Sequence, residues 1–121
     1  METIEEELDL LLDEAMSKGK TFNLNDYIQK EIIYIGNLSE ISLVENKKTK
    51  EKYVMKSYQK KKIHQLFKEA EILNEKNTNE KIKEHSNILS YYGTAKNQFE
   101  IYFLYEYING EDLQKKYLIM V

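Results

Sequence analysis

The sequence predicts an α+β fold: a five-stranded antiparallel sheet, one helix packed against it and an extra helix at the N-terminus. Three observations predict it. Between Glu31 and Lys56 lie three short runs rich in β-branched and apolar residues, Ile32/Ile33/Ile35, Ile41/Leu43/Val44 and Tyr53/Val54/Met55, parted by polar connections. Two further apolar runs come late in the chain. Two other segments repeat apolar residues at helical spacing.

In chain order, residues 3–18 read as a helix. Thr3-Ile4-Glu5-Glu6 has the form of a capping box, acids crowd the first turn, and Gly19 suits the end. Ile4, Leu8, Leu11, Leu12 and Ala15 line one face, which is expected to pack on the domain's own sheet, with docking to a partner as the alternative. Lys20 to Asn25 is a linker. In the meander that follows, the first connection opens on Gly36, a residue that takes positive φ freely. Glu45 to Lys52 is the second turn, and the third strand ends on Lys56. Ser57 to Lys62, with its lysine cluster, is expected to be a solvated face.

Ile63 to Glu75 is read as the second helix, with Ile63, Leu66, Phe67, Ala70 and Leu73 as its buried stripe. Glu69 lies at the edge of that stripe, and a carboxylate there needs a cation, for which Lys56 is the candidate. Lys76 to Glu84 is expected to be an exposed connection. A fourth strand runs from Ser86 through Tyr92, Gly93 to Asn97 reverses the chain, and Phe99 to Tyr107 is the fifth strand. After the Asn109-Gly110 turn, Asp112 to Val121 begins another helix whose apolar end calls for a cover.

Composition bounds the function. A chain of 121 residues, 41% hydrophobic and 32% charged, fits one soluble domain with a modest core. No apolar run approaches a membrane span, and with no targeting segment the cytoplasm is the expected compartment. Without cysteine there are no disulfides or thiolate metal sites, and His64 and His85 stand outside any metal-ligand spacing, so no metal site is expected. Every basic residue is lysine, which removes bidentate guanidinium recognition, and nucleic acid is not an expected partner.

A glycine turn that brings backbone N–H groups near a polyphosphate, with a lysine beside it, is a phosphate-binding arrangement. Tyr53-Val54-Met55-Lys56, Glu69-Ala70-Glu71-Ile72-Leu73, His85-Ser86-Asn87-Ile88-Leu89 and the run Ile101 to Leu113 occur in the order strand, helix, strand, strand, hinge. Together they resemble the small, N-terminal lobe of a eukaryotic-type serine/threonine protein kinase over residues 26–113. Residues 1–25 would then be an N-terminal amphipathic helix with its linker, and 114–121 the truncated start of helix D.

The resemblance implies roles residue by residue. Lys56 would contact the α- and β-phosphates of ATP and pair with Glu69 on helix C, with Glu71 as the fallback. Ile35, Ile41 and Val54 would roof the adenine, Gly36 and Ser39 would face the phosphates, and Tyr105 would be the gatekeeper. The backbone of Glu106 and Ile108 would bond the adenine edge, and Asp112 the ribose. The departures are a loop with only Gly36 and the absence of both His-Arg-Asp and Asp-Phe-Gly. Magnesium ligands would come from a large lobe, so these 121 residues alone are expected to be inactive. The expected function is thus the ATP-binding small lobe of a serine/threonine kinase, acting on a protein substrate within a longer chain. The alternative is a non-catalytic, pseudokinase-like module that docks on a partner protein, and its apolar surface could also support a homo-oligomer.

Overall fold

The structure, a computed structural model, describes residues 3–81 and 90–108. It contains helix α1 (Ile4–Met16), strands β1 (Tyr27–Ile35), β2 (Ser39–Asn46) and β3 (Lys52–Gln59), helices α2 (Lys60–Gln65) and α3 (Glu69–Lys81), and strands β4 (Tyr91–Lys96) and β5 (Glu100–Glu106). The strands form one antiparallel sheet in the order β1-β2-β3-β5-β4. The α+β class, the five strands and the additional N-terminal helix are as the sequence predicts.

The two faces of the sheet have separate cores. Strand alternation sends Ile41, Val54, Tyr58, Ile101, Phe103 and Tyr105 to an inner face, where they meet Leu12 and Met16 of α1, Ile63 of α2 and Ile72 of α3. Val44, Met55, Ala95, Tyr102 and Leu104 form the outer core, covered by Phe22 and Leu24 from the segment ahead of β1 and by Tyr27 at its start. Phe103 is completely buried and stacks beside Tyr105, with Tyr58 edge-on to it, so aromatic rings fill the centre of the inner face.

Helix α1 starts where its N-cap dictates: the Thr3 hydroxyl accepts the Glu6 N–H at 3.1 Å. Its stripe is narrower than predicted. Leu12 and Met16 are buried and Leu8 and Ala15 half-buried, whereas Ile4 and Leu11 stay exposed. The chain after α1 runs along β4, with Phe22 N–H donating to Thr94 O and Thr94 N–H to Lys20 O. This approach needs Gly93, at φ 135°, because a Cβ there would lie 2.8 Å from Lys20 O. The edge of β4 is therefore covered by the chain's own N-terminal segment.

Several expectations are corrected. The second helix is not continuous. After α2 the chain makes a Schellman turn, with Lys68 N–H bonded to Ile63 O and Phe67 N–H to His64 O. The left-handed residue of that turn is Phe67, at φ 54°, a position usually held by glycine. The break resets the helical phase, so Leu66 and Phe67 are exposed and α3 buries Ile72 and Lys76 instead. Residues 76–81, expected as an exposed connection, are the second half of α3. Lys60, placed by the sequence on a solvated face, is buried.

Residues 93–96 belong to β4 and not to the reversal, which Asn97 makes by accepting the N–H groups of Phe99 and Glu100 on its side-chain oxygen. The expected strand residues Ser86 to Leu89, the Asn109-Gly110 turn and the helix from Asp112 lie outside the described residues.

Candidate functional site

The candidate site is built on the inner face at β3. Val54, Lys56 and Tyr58 alternate onto that face, and residues directly paired across the sheet share it: Ile41 opposite Lys56 on β2 and Phe103 opposite Lys56 on β5. Lys56 is 3% exposed. Its ammonium lies 3.3 Å and 3.4 Å from the two carboxylate oxygens of Glu75 and 5.1 Å from the centre of the Tyr58 ring. Burial pushes the Lys56 pKa down, and the Glu75 carboxylate opposes that shift.

Glu75 is the acid that the sequence reading missed. The expected partner, Glu69, instead accepts a bond from His64 Nδ1 at 2.9 Å, and the fallback Glu71 pairs with Lys68 at 2.9 Å. The reason is the Schellman turn, which starts α3 in a new phase and carries Glu69 and Glu71 away from the sheet. The face of α3 turned to the core carries Ile72, Glu75, Lys76 and Asn79, spaced by three and four residues but mostly polar. Apolar periodicity could not find it. The signal that could have is the third position after Ile72.

Glu75 accepts from two phenols as well: Tyr58 OH on β3 and Tyr105 OH on β5, the latter at 2.6 Å. Asn79 donates to Tyr105 OH at 2.8 Å. Burial first, and then the Glu75 charge, push the pKa of both tyrosines up, so both hydroxyls keep their protons.

The remaining predicted residues divide between the two faces. Ile41 and Val54, 1% and 0% exposed, lie on the inner face beside Lys56. Ser39 is there too, opposite Tyr58. Ile35 is not: it pairs with Glu40 on the outer face and is 68% exposed. β1 carries two register shifts, at Lys30 and at Ile33; the second, from Ile32↔Ser42 to Tyr34↔Ile41, undoes the phase change of the first and leaves Ile35 on the face of Tyr27 and Gln29. Tyr34 thereby takes the inward place expected of Ile35. Gly36 does not adopt positive φ. Its N–H donates to Ser39 O at 2.8 Å, and a Cβ on it would sit 2.9 Å from the Tyr34 ring. Tyr105 is buried at the end of β5, Glu106 N–H bonds to Ser90 O, and Ile108 packs against the inner core. Asp112 lies outside the described residues.

A five-stranded antiparallel sheet with a helix carboxylate drawn onto the third-strand lysine is thus on hand, and sequence comparison agrees with it. The family model described as the protein kinase domain matches residues 27–119. The chain belongs to the protein kinase domain family. The match begins at β1, so α1 lies ahead of the matched kinase region, and the Lys56–Glu75 pair lies within it. No curated protein matches the chain. Among the described residues, no helix is long and apolar enough to cross a membrane.

Proposed function

We propose that this chain supplies the ATP-binding small lobe of a protein serine/threonine kinase, and that Lys56 and Glu75 are its phosphate-handling pair. The observation that carries this reading is the ion pair itself. A buried ammonium costs several kcal/mol in desolvation unless a carboxylate compensates it, and this family uses a third-strand lysine with a helix glutamate to hold ATP phosphates. Lys56 and Glu75 occupy those two places. Ile41 and Val54 lie on the same face as Lys56, where an adenine ring would have to displace what buries them, and the backbone of Glu106 and Ile108 would meet its polar edge. Phosphoryl transfer to a protein hydroxyl further requires a base and magnesium ligands, which in this family belong to the large lobe.

Titration with Mg·ATP, followed by thermal shift and calorimetry, tests the reading. Wild type should be stabilised in a saturable way, and Lys56→Ala should lose the effect. A wild type that melts at the same temperature with and without nucleotide would overturn ATP binding.

A non-catalytic docking module is the second reading, and one feature favours it. The Gly36 N–H, which would otherwise be offered to a phosphate, is bonded within its own turn, and the Tyr34 ring packs beneath that glycine.

A further inference from the structure

The distances around Glu75 are not those of a simple ion pair. The ammonium of Lys56 stands 3.3 Å and 3.4 Å away, longer than the charge-assisted bonds such a pair can make. The Tyr105 hydroxyl is far closer, at 2.6 Å to Oε2, and the Tyr58 hydroxyl bonds the other oxygen. The two phenols come from adjacent strands and reach the two different oxygens of one carboxylate. That arrangement fixes both its position and its plane. Tyr105 is further defined by Asn79, whose amide donates to the phenol oxygen and so leaves the phenol proton to point at Glu75. Asn79 lies one turn beyond Glu75, so α3 is held at two successive turns.

We propose that Tyr58 and Tyr105 are positioning residues: their hydroxyls hold the Glu75 carboxylate, and with it helix α3, in the orientation that faces Lys56. Lys56 is then presented with a carboxylate already in place. The helix does not depend on the lysine for its docking. This inference rests on the reading of Lys56 and Glu75 as the phosphate-handling pair for its functional meaning, but its structural content stands apart from nucleotide binding.

The test compares Tyr58→Phe, Tyr105→Phe, the double variant and Lys56→Met in the full chain. Phenylalanine keeps the ring under Lys56 and the stack on Phe103 and removes only the hydroxyl. Amide hydrogen exchange across Ile72 to Lys81 is the first readout. Losing a bond to a charged group should speed exchange there about tenfold for each hydroxyl, with β2 and β3 protection unchanged and Lys56→Met having a smaller effect. The second readout is the titration of the Lys56 ammonium by NMR, which a merely structural role would not move. In the double variant it should fall further below the ordinary lysine range, because the carboxylate is no longer held opposite.

Unchanged α3 exchange in the double variant, or acceleration by Lys56→Met as large as the double, would overturn the proposal. Should the double variant fail to fold, the single variants decide: acceleration confined to α3 supports the proposal, and uniform loss of protection across the sheet overturns it. A third readout, Mg·ATP affinity, separates the two claims. A wild type that binds no nucleotide sinks the kinase reading and leaves the exchange result standing. A wild type that binds, with the double variant weakened about tenfold, supports both.

Discussion

Lys56 on β3 and Lys76 on α3 are equally inaccessible, 3% and 5% exposed, yet they are held in different ways. Lys76 donates to the backbone carbonyl of Lys18 at 2.7 Å and to Glu80 at 2.9 Å, and Glu80 in turn accepts the Lys20 N–H at 3.1 Å and a bond from Tyr91 OH. Its charge terminates the segment after α1 and ties it to α3. Lys60 does the same for the β4–β5 reversal, bonding Asn97 O at 2.8 Å with Asp13 at 2.6 Å. Lys56 shares a carboxylate that two phenols already satisfy. The difference teaches that burial alone does not mark a functional lysine. Two of these ammonium groups hold backbone carbonyls and tie segments of the chain together, whereas Lys56 faces a carboxylate that is also held by two phenols.

The largest expected effect breaks or confirms that contrast directly. Lys76→Met keeps the aliphatic stem but strands Lys18 O and removes the cation from Glu80. Unfolding by urea should show a loss of about 3 kcal/mol. In Lys56→Met, Glu75 retains both phenols, so the same measurement should show a loss of only about 1 kcal/mol. If the two losses come in the reverse order, the distinction between the lysines is wrong.

A third prediction concerns the helical side of the same contrast. His64 on α2 bonds Asp9 of α1 through Nε2 at 2.5 Å and Glu69 of α3 through Nδ1 at 2.9 Å. Burial lowers the pKa of this imidazole, but its bonds to Asp9 and Glu69 outweigh that and hold it above the ordinary 6.5. A group whose pKa is raised by folding stabilises fully below its unfolded value and loses that contribution as pH rises through its folded value. Wild type should therefore become less stable as pH climbs from about 6.5 into the alkaline range. His64→Gln should flatten that part of the profile. An equal slope in the variant would show that the imidazolium is not what joins the three helices.

The sheet was legible in the sequence because its strands are made of alternating Ile, Val, Tyr and Phe, but the third strand runs past its expected end at Lys56 to Gln59 and buries Tyr58, which the sequence alone assigns to a solvated face. The kinase family was legible because several short motifs, among them Tyr53 to Lys56 on β3 and Glu69 to Leu73 on α3, follow one another in the family's order. The acid opposite Lys56 was not. It depends on the phase of α3, which is fixed by a turn whose left-handed residue is phenylalanine where glycine is the usual signal. The buried face of α3, with Glu75, Lys76 and Asn79 following Ile72, has too little apolar content to announce itself. Ile35 was lost to the phase set by two register shifts in β1, at Lys30 and Ile33, and neither leaves a mark in the sequence.

The smallest predicted effect isolates that turn. Phe67 is 87% exposed, so its ring contributes little burial, while its backbone sits at φ 54°. A left-handed conformation costs an L-residue roughly 1–2 kcal/mol, and glycine gives back part of that through its larger loss of freedom on folding. Phe67→Gly should consequently raise stability by about 1 kcal/mol. Phe67→Ala, which removes the ring but keeps the strain, should gain nothing. Equal gains from both would trace the cost to the exposed ring and not to the backbone. Because the hydrogen bonds of the turn involve only main-chain atoms of Ile63, His64, Phe67 and Lys68, glycine should preserve the phase of α3. The Lys56 titration in Phe67→Gly should then match wild type. A change there would mean that the aromatic side chain, and not the turn, sets which carboxylate faces the lysine.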